Sequence, residues 1–263
     1  MKIQKISNFI ILFIISFEFA NCQQISSIGP GYKFELFRNT PIYELAKAVV
    51  EEDTFKIKKF VVNDSMPINY QEPKFRTTVL TLAILNEKSL SIQKLLEFGA
   101  NPNSRSIDDS SPFLQELYLN NSNVLKSLIN YGADVNSVQI DTTNDQIGKR
   151  KNFKTTALGI ACSYGNLKTV KILIENGAKV DAYGKNADAI LSTAVLSNKL
   201  DIVKYLLIDV KAPIPEYVAI RQPGSQYERK MTITDILNES GNNESSQNQK
   251  LKQEILQYLK SIN

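Results

Sequence analysis

The stretch Thr156–Ala182, TALGIACSYGNLKTVKILIENGAKVDA, decides how the rest of the chain is read. Leu158, Ile160 and Ala161 mark one short apolar-faced helix; Leu167, Val170, Leu173 and Ile174 fall at the i, i+3, i+6, i+7 spacing of a second. Gly165-Asn166 separates the two, and Gly177 follows the second where a left-handed residue is wanted, a conformation glycine takes without a Cβ penalty. Each helix is shorter than the ~12–15 residues at which an isolated helix becomes marginally stable in water. The unit must therefore borrow burial from neighbours, which predicts copies of itself.

The copies are present. Phe98-Gly99-Ala100-Asn101, Tyr131-Gly132-Ala133-Asp134 and Asn176-Gly177-Ala178-Lys179 repeat one element, with glycines 33 and then 45 residues apart. A further step of 33 links Lys171 in TVKILI to Lys204 in IVKYLL. The period, the helix-turn-helix and the closing G-A-D-V-N resemble the ankyrin repeat from about Thr40 to the C-terminus. The resemblance implies an all-α solenoid of stacked antiparallel helix pairs, with hairpin loops projecting from one edge to bound a concave surface. It also implies an interaction scaffold rather than an enzyme. About five to six repeats, both caps included, fit residues 39–263.

Composition narrows the chemistry. The net charge is +4 with a pI near 8.8, an excess too small and too scattered to argue for nucleic acid. The chain has no histidine and two cysteines, which removes the commonest general base and excludes a cysteine-rich zinc site. No cofactor or metal is expected, and no catalytic residues are assigned.

The start of the chain reads differently. Met1–Asn8 is polar with two lysines, and Phe9–Phe17 is almost wholly apolar, the order of a secretory leader and too short to span a membrane. Residues 1–21 are thus expected to be a signal peptide. Phe19-Ala20-Asn21-Cys22 resembles a bacterial lipobox, which makes Cys22 the candidate lipidation site; Asn21 and Glu18 depart from the pattern, and a conventional cleavage beside an ordinary cysteine is the other reading. A disulfide to Cys162 is disfavoured by the burial expected there. Residues 22–38 read as a tether, and the expected location is the cell envelope, lipid-anchored or periplasmic, or alternatively outside the cell.

Along the array, Thr40-Pro41 opens the first repeat, with Phe55, Ile57, Phe60 and Val61 on its second helix. Thr78 and Ser111-Pro112 open the next two. Gln115 and Glu116 replace the usual small apolar pair, which reads as a weak point. Thr81, Leu114, Gly159 and Ser192 stand where the family carries its histidine. A last helix pair, Met231–Asn238 and Leu251–Ile262, is separated by a Ser/Asn/Gln-rich loop.

Two extensions stand out. The 45-residue step hides an insertion between Ser137 and Thr155 that would present Asp141, Asp145, Lys149, Arg150, Lys151 and Phe153 on a long finger. The second, Ile214–Lys230, holds Tyr217, Arg221, Tyr227 and Arg229, the side chains favoured at interface hot spots. The candidate partner-binding residues are therefore Lys149, Arg150, Lys151, Phe153, Tyr217, Arg221, Tyr227 and Arg229. The expectation is a monomeric, exported scaffold that binds a protein partner and touches a membrane only through a lipid anchor. An inhibitor or immunity protein of an envelope toxin or enzyme, and a structural envelope component, are the alternatives.

Overall fold

The computed structural model describes residues 33–141, 153–181, 189–239 and 245–262. Twelve α-helices in these residues fall into six pairs. They are α1 Tyr43–Val50 with α2 Thr54–Lys58; α3 Val79–Leu85 with α4 Ser89–Glu97; and α5 Pro112–Leu119 with α6 Ser122–Asn130. Then follow α7 Ala157–Tyr164 with α8 Leu167–Glu175, α9 Ile190–Leu196 with α10 Leu200–Lys204, and α11 Ile233–Glu239 with α12 Ser246–Ser261. Each first helix packs on the first helix of the next pair, and each second helix on the next second helix, from α1 to α12. One hydrophobic core runs through all six pairs, from Phe37 to Leu259. Among the described residues the main helix contacts are between neighbouring repeats, as in a quasi-one-dimensional array.

The caps follow from the sequence. Thr78, Ser111 and Thr156 each accept the backbone N–H three residues on, from Thr81, Leu114 and Gly159, and so start α3, α5 and α7. Pro112 occupies the first turn of α5, where its missing N–H costs nothing. Thr40 behaves differently: its hydroxyl donates to the Phe37 carbonyl at 2.7 Å and α1 starts three residues later.

The helix ends show two solutions to one problem. In the three internal repeats Gly99, Gly132 and Gly177 sit at φ of +86°, +87° and +88°. The alanine after each donates to a carbonyl five residues back, as in Ala133 to Leu128. Repeats one and five lack this glycine. Their second helices instead widen into π turns over Lys59–Asn63 and Tyr205–Asp209, and the bond spans six residues, Met66 to Phe60 and Ala212 to Leu206. The left-handed position is then held by Ser65 and Lys211, at φ of 51° and 56°.

Several expectations are corrected. The folded body begins before residue 39: Phe34–Phe37 form a 3-10 turn that buries Phe37, so these residues are not tether. Phe55 does not join the apolar face of α2, being 88% exposed, whereas Ile57 is buried. The last helix starts at Ser246 rather than Leu251, because the Ser245 hydroxyl caps it by accepting the Asn248 N–H. Glu116 is no gap in the stack. Its carboxyl group is buried and accepts the Asn121 N–H at 2.6 Å, while Gln115 donates to the Ser110 hydroxyl at 2.8 Å.

Candidate functional site

The connections between repeats project ahead of each first helix, and side chains fix their roots. Asn69 donates to the Gly99 carbonyl and accepts from the Asn101 N–H; Asn103 does the same to Gly132 and Asp134, and Asn136 to Gly177 and Lys179. A primary carboxamide carries a donor and an acceptor on one planar group, which is what this clamp needs. At the fourth step the register places Asp181, which has no such donor when ionised.

The first loop, Asn69–Thr77, is wrapped around a buried carboxylate. Glu72 accepts the backbone N–H groups of Lys74, Phe75 and Thr77 at 2.8, 2.6 and 3.1 Å. The second loop, Asn103–Ser110, is closed by Arg105, which donates to the Asp109 carbonyl at 2.6 Å. The third is a hairpin, with β1 Val138–Asp141 antiparallel to β2 Phe153–Thr156 and Val138 paired with Thr156.

These loops are joined side by side. Gln71 donates to the Arg105 carbonyl at 2.6 Å, and the Ile107 N–H to the Phe75 carbonyl at 2.9 Å. Arg105 reaches the Ser137 hydroxyl at 2.6 Å, and the Ile140 N–H donates to the Asp109 carboxylate at 2.9 Å. The result is one bonded ledge across three repeats rather than three independent tips. It exposes Ile107 (67%) and Ile140 (37%), with Phe75 half-buried beside them.

The second extension forms a short hairpin, β3 Ala219–Arg221 with β4 Arg229–Met231. Ion pairs tie it down: Arg221 to Glu239, Arg229 to Asp235 at 2.7 Å, and Lys230 to Glu216 at 2.8 Å. The Lys230 ammonium also lies 4.9 Å over the Tyr217 ring, and the Glu216 bond raises its pKa. Asp235 is held below the usual carboxylate range, first by the Thr232 N–H and hydroxyl and then by Arg229. The arginines expected to meet a partner therefore anchor the hairpin, and Tyr227, 70% exposed, is the side chain it presents.

Of the other candidates, Lys149, Arg150, Lys151 and Cys22 lie outside the described residues, as do Asp145 and the leader. Phe153 opens β2 opposite Asp141. The structure adds Phe75, Ile107, Ile140, Lys74, Arg76 and Lys154, which sequence reading missed because two of their loops are of ordinary length. The signal available was their shared place in the period, immediately ahead of a first helix.

The arrangement offers surface rather than reacting groups. The Cys162 thiol is buried and pushed up to about 12 by desolvation, which leaves no thiolate at neutral pH. Burial likewise pushes the Glu116 carboxyl up to about 8, with the Asn121 N–H opposing and the Glu87 charge adding to the rise. Among the described residues no group of three metal-ligating side chains converges, and no helix is long and apolar enough to cross a membrane.

Comparison with known proteins places these features. Residues 118–214 match the family model for ankyrin repeats, in three copies. A fowlpox virus putative ankyrin repeat protein is 26% identical over 130 residues, covering 49% of this chain and 36% of that protein. The human ankyrin repeat and SOCS box protein 6 is 28% identical over 130 residues, covering 49% and 30%. The monkeypox virus interferon antagonist OPG039 is 29% identical over 137 residues, covering 52% and 43%. The alignments thus span less than half the length of each of these relatives.

Proposed function

We propose that this chain, a helical repeat protein carrying ankyrin repeats, is an exported scaffold that binds a protein partner through its projecting loops and the concave face beside them, without catalysis. The observation that carries the reading is the bonded ledge. Three loops that could have been independent are fixed to one another, and they hold solvent-facing isoleucines in place. Such pre-ordering lowers the entropy lost on association. The repeat family supports an interaction role, and the leader and Cys22 support export with a lipid anchor.

The test replaces residues 142–152 by a two-residue Asn-Gly turn, which retains the β1–β2 pairing that a wider deletion would remove. Capture from envelope extracts with the intact chain and this variant is expected to yield a partner only for the former. An identical catch from both would remove the long finger from the site, and an empty catch from both would favour a structural role. For the anchor, Cys22→Ser is expected to release the protein from the membrane fraction; retention there would overturn lipidation.

A further inference from the structure

The ledge has a chemical polarity that points to a class of partner. Its carboxylates are turned into the fold's own hydrogen bonds: Glu72 is buried under three backbone N–H groups, and Asp109 accepts the Ile140 N–H. Arg105 is bonded inward as well, to the Asp109 carbonyl and the Ser137 hydroxyl, but three other cations are not. Lys74, Arg76 and Lys154 are exposed and have no ion-pair partner among the described residues. The Arg76 guanidinium donates only to the Gln71 side-chain amide oxygen at 3.3 Å, and Lys74 lies 4.9 Å over the Phe75 ring with its ammonium open to water. Phe75, Ile107 and Ile140 run between these cations, the first two joined through backbone.

We propose that the ledge formed by Phe75, Ile107 and Ile140, flanked by Lys74, Arg76 and Lys154, docks a segment of a partner protein that combines acidic with apolar side chains. This rests on the scaffold reading above and names the partner's chemistry. The apolar row supplies contact area, and the cations reward carboxylates while opposing basic segments, so charge sets the choice of partner more than the affinity. An exposed isoleucine on a backbone held by its neighbours loses little freedom on docking, which favours it as an anchor.

The experiment selects random phage-displayed peptides on the immobilised full chain and, in parallel, on a Lys74→Glu/Arg76→Glu/Lys154→Glu variant. The expected result is enrichment of Asp- and Glu-rich peptides bearing Phe, Leu, Ile or Met. Their binding should weaken with added salt and fall about tenfold in Ile107→Asp, the loss of one central contact residue. The triple variant should select basic peptides instead. Ile107 is solvent-facing, so circular dichroism of Ile107→Asp should match the parent. Peptides without acidic bias that still require Ile107 would overturn the partner class and leave the scaffold reading standing. Peptides indifferent to Ile107 and to the three charges would overturn the ledge as a site, and no enrichment at all would overturn the docking of a peptide segment.

Discussion

The side chain of Asn103 grips the following repeat at Asp134, accepting its N–H at 2.9 Å while donating to the Gly132 carbonyl at 2.8 Å. Replacing Asn103 by Asp keeps the acceptor but sets a carboxylate against the carbonyl. It is expected to cost ~1–2 kcal/mol, the loss of one exposed hydrogen bond plus the repulsion left behind. Urea unfolding of Asn103→Asp beside the parent measures it. A change below ~0.3 kcal/mol would show that the clamp orders the loop without stabilising it.

A buried carboxyl gives the fold a pH dependence of unusual sign. Glu116 titrates at about 8 when folded, against an ordinary 4.5, and is 2% exposed. The raised value means that the native state holds the proton which the unfolded chain releases. The stability is therefore fully present below about pH 4.5 and falls as pH rises to about 8, by at most ~1.4 kcal/mol per pH unit. Glu116→Gln retains an acceptor for the Asn121 N–H and should flatten this slope, gaining stability at pH 8 and little at pH 4. Denaturant midpoints at several pH values provide the check; parallel curves for the two proteins would refute it.

The left-handed residues of the first and fifth repeats should be improvable. Lys211 holds φ of 56° where the internal repeats place glycine, so Lys211→Gly is expected to stabilise by up to ~1 kcal/mol. The reverse change, Gly132→Ala at φ of +87°, has open space around the new Cβ and should still lose ~1 kcal/mol through backbone strain alone. Thermal melts of both variants test the pair, and a stabilising Gly132→Ala would contradict the assignment.

Leu173 is fully buried in α8, between neighbouring second helices. Leu173→Ala is expected to cost ~2–5 kcal/mol, from lost transfer energy and the cavity left. A loss under ~0.5 kcal/mol in denaturant melts would argue against the inter-repeat packing.

Local signals in the sequence carried the repeat register and the caps, because Gly132, Ser111 and Thr156 act on backbone only a few residues away. Features set by distant partners were harder to read. Arg221 looked free for a ligand since its acceptor, Glu239, lies 18 residues on. Phe55 and Ile57 are two residues apart on an α-helix and so point to opposite sides; with Ile57 in the core, Phe55 is left in water. The ledge was invisible for a third reason: it is made by bonds between loops, such as Ile107 to Phe75, that no single repeat contains.

The asparagine clamp has a direction. The second and third repeats each receive one from the repeat before and extend one to the repeat after; the fourth receives one through Asn136 but carries Asp181 where the next would start, and the first only extends, through Asn69, and ends its second helix on a π turn. The middle of the molecule is therefore written in interchangeable units and its two ends are not. A chain in which Thr78–Ser110 occurs twice in tandem should fold as a longer rod, with the ledge extended by one loop, while doubling the first repeat would set a non-glycine terminus against a clamp shaped for glycine.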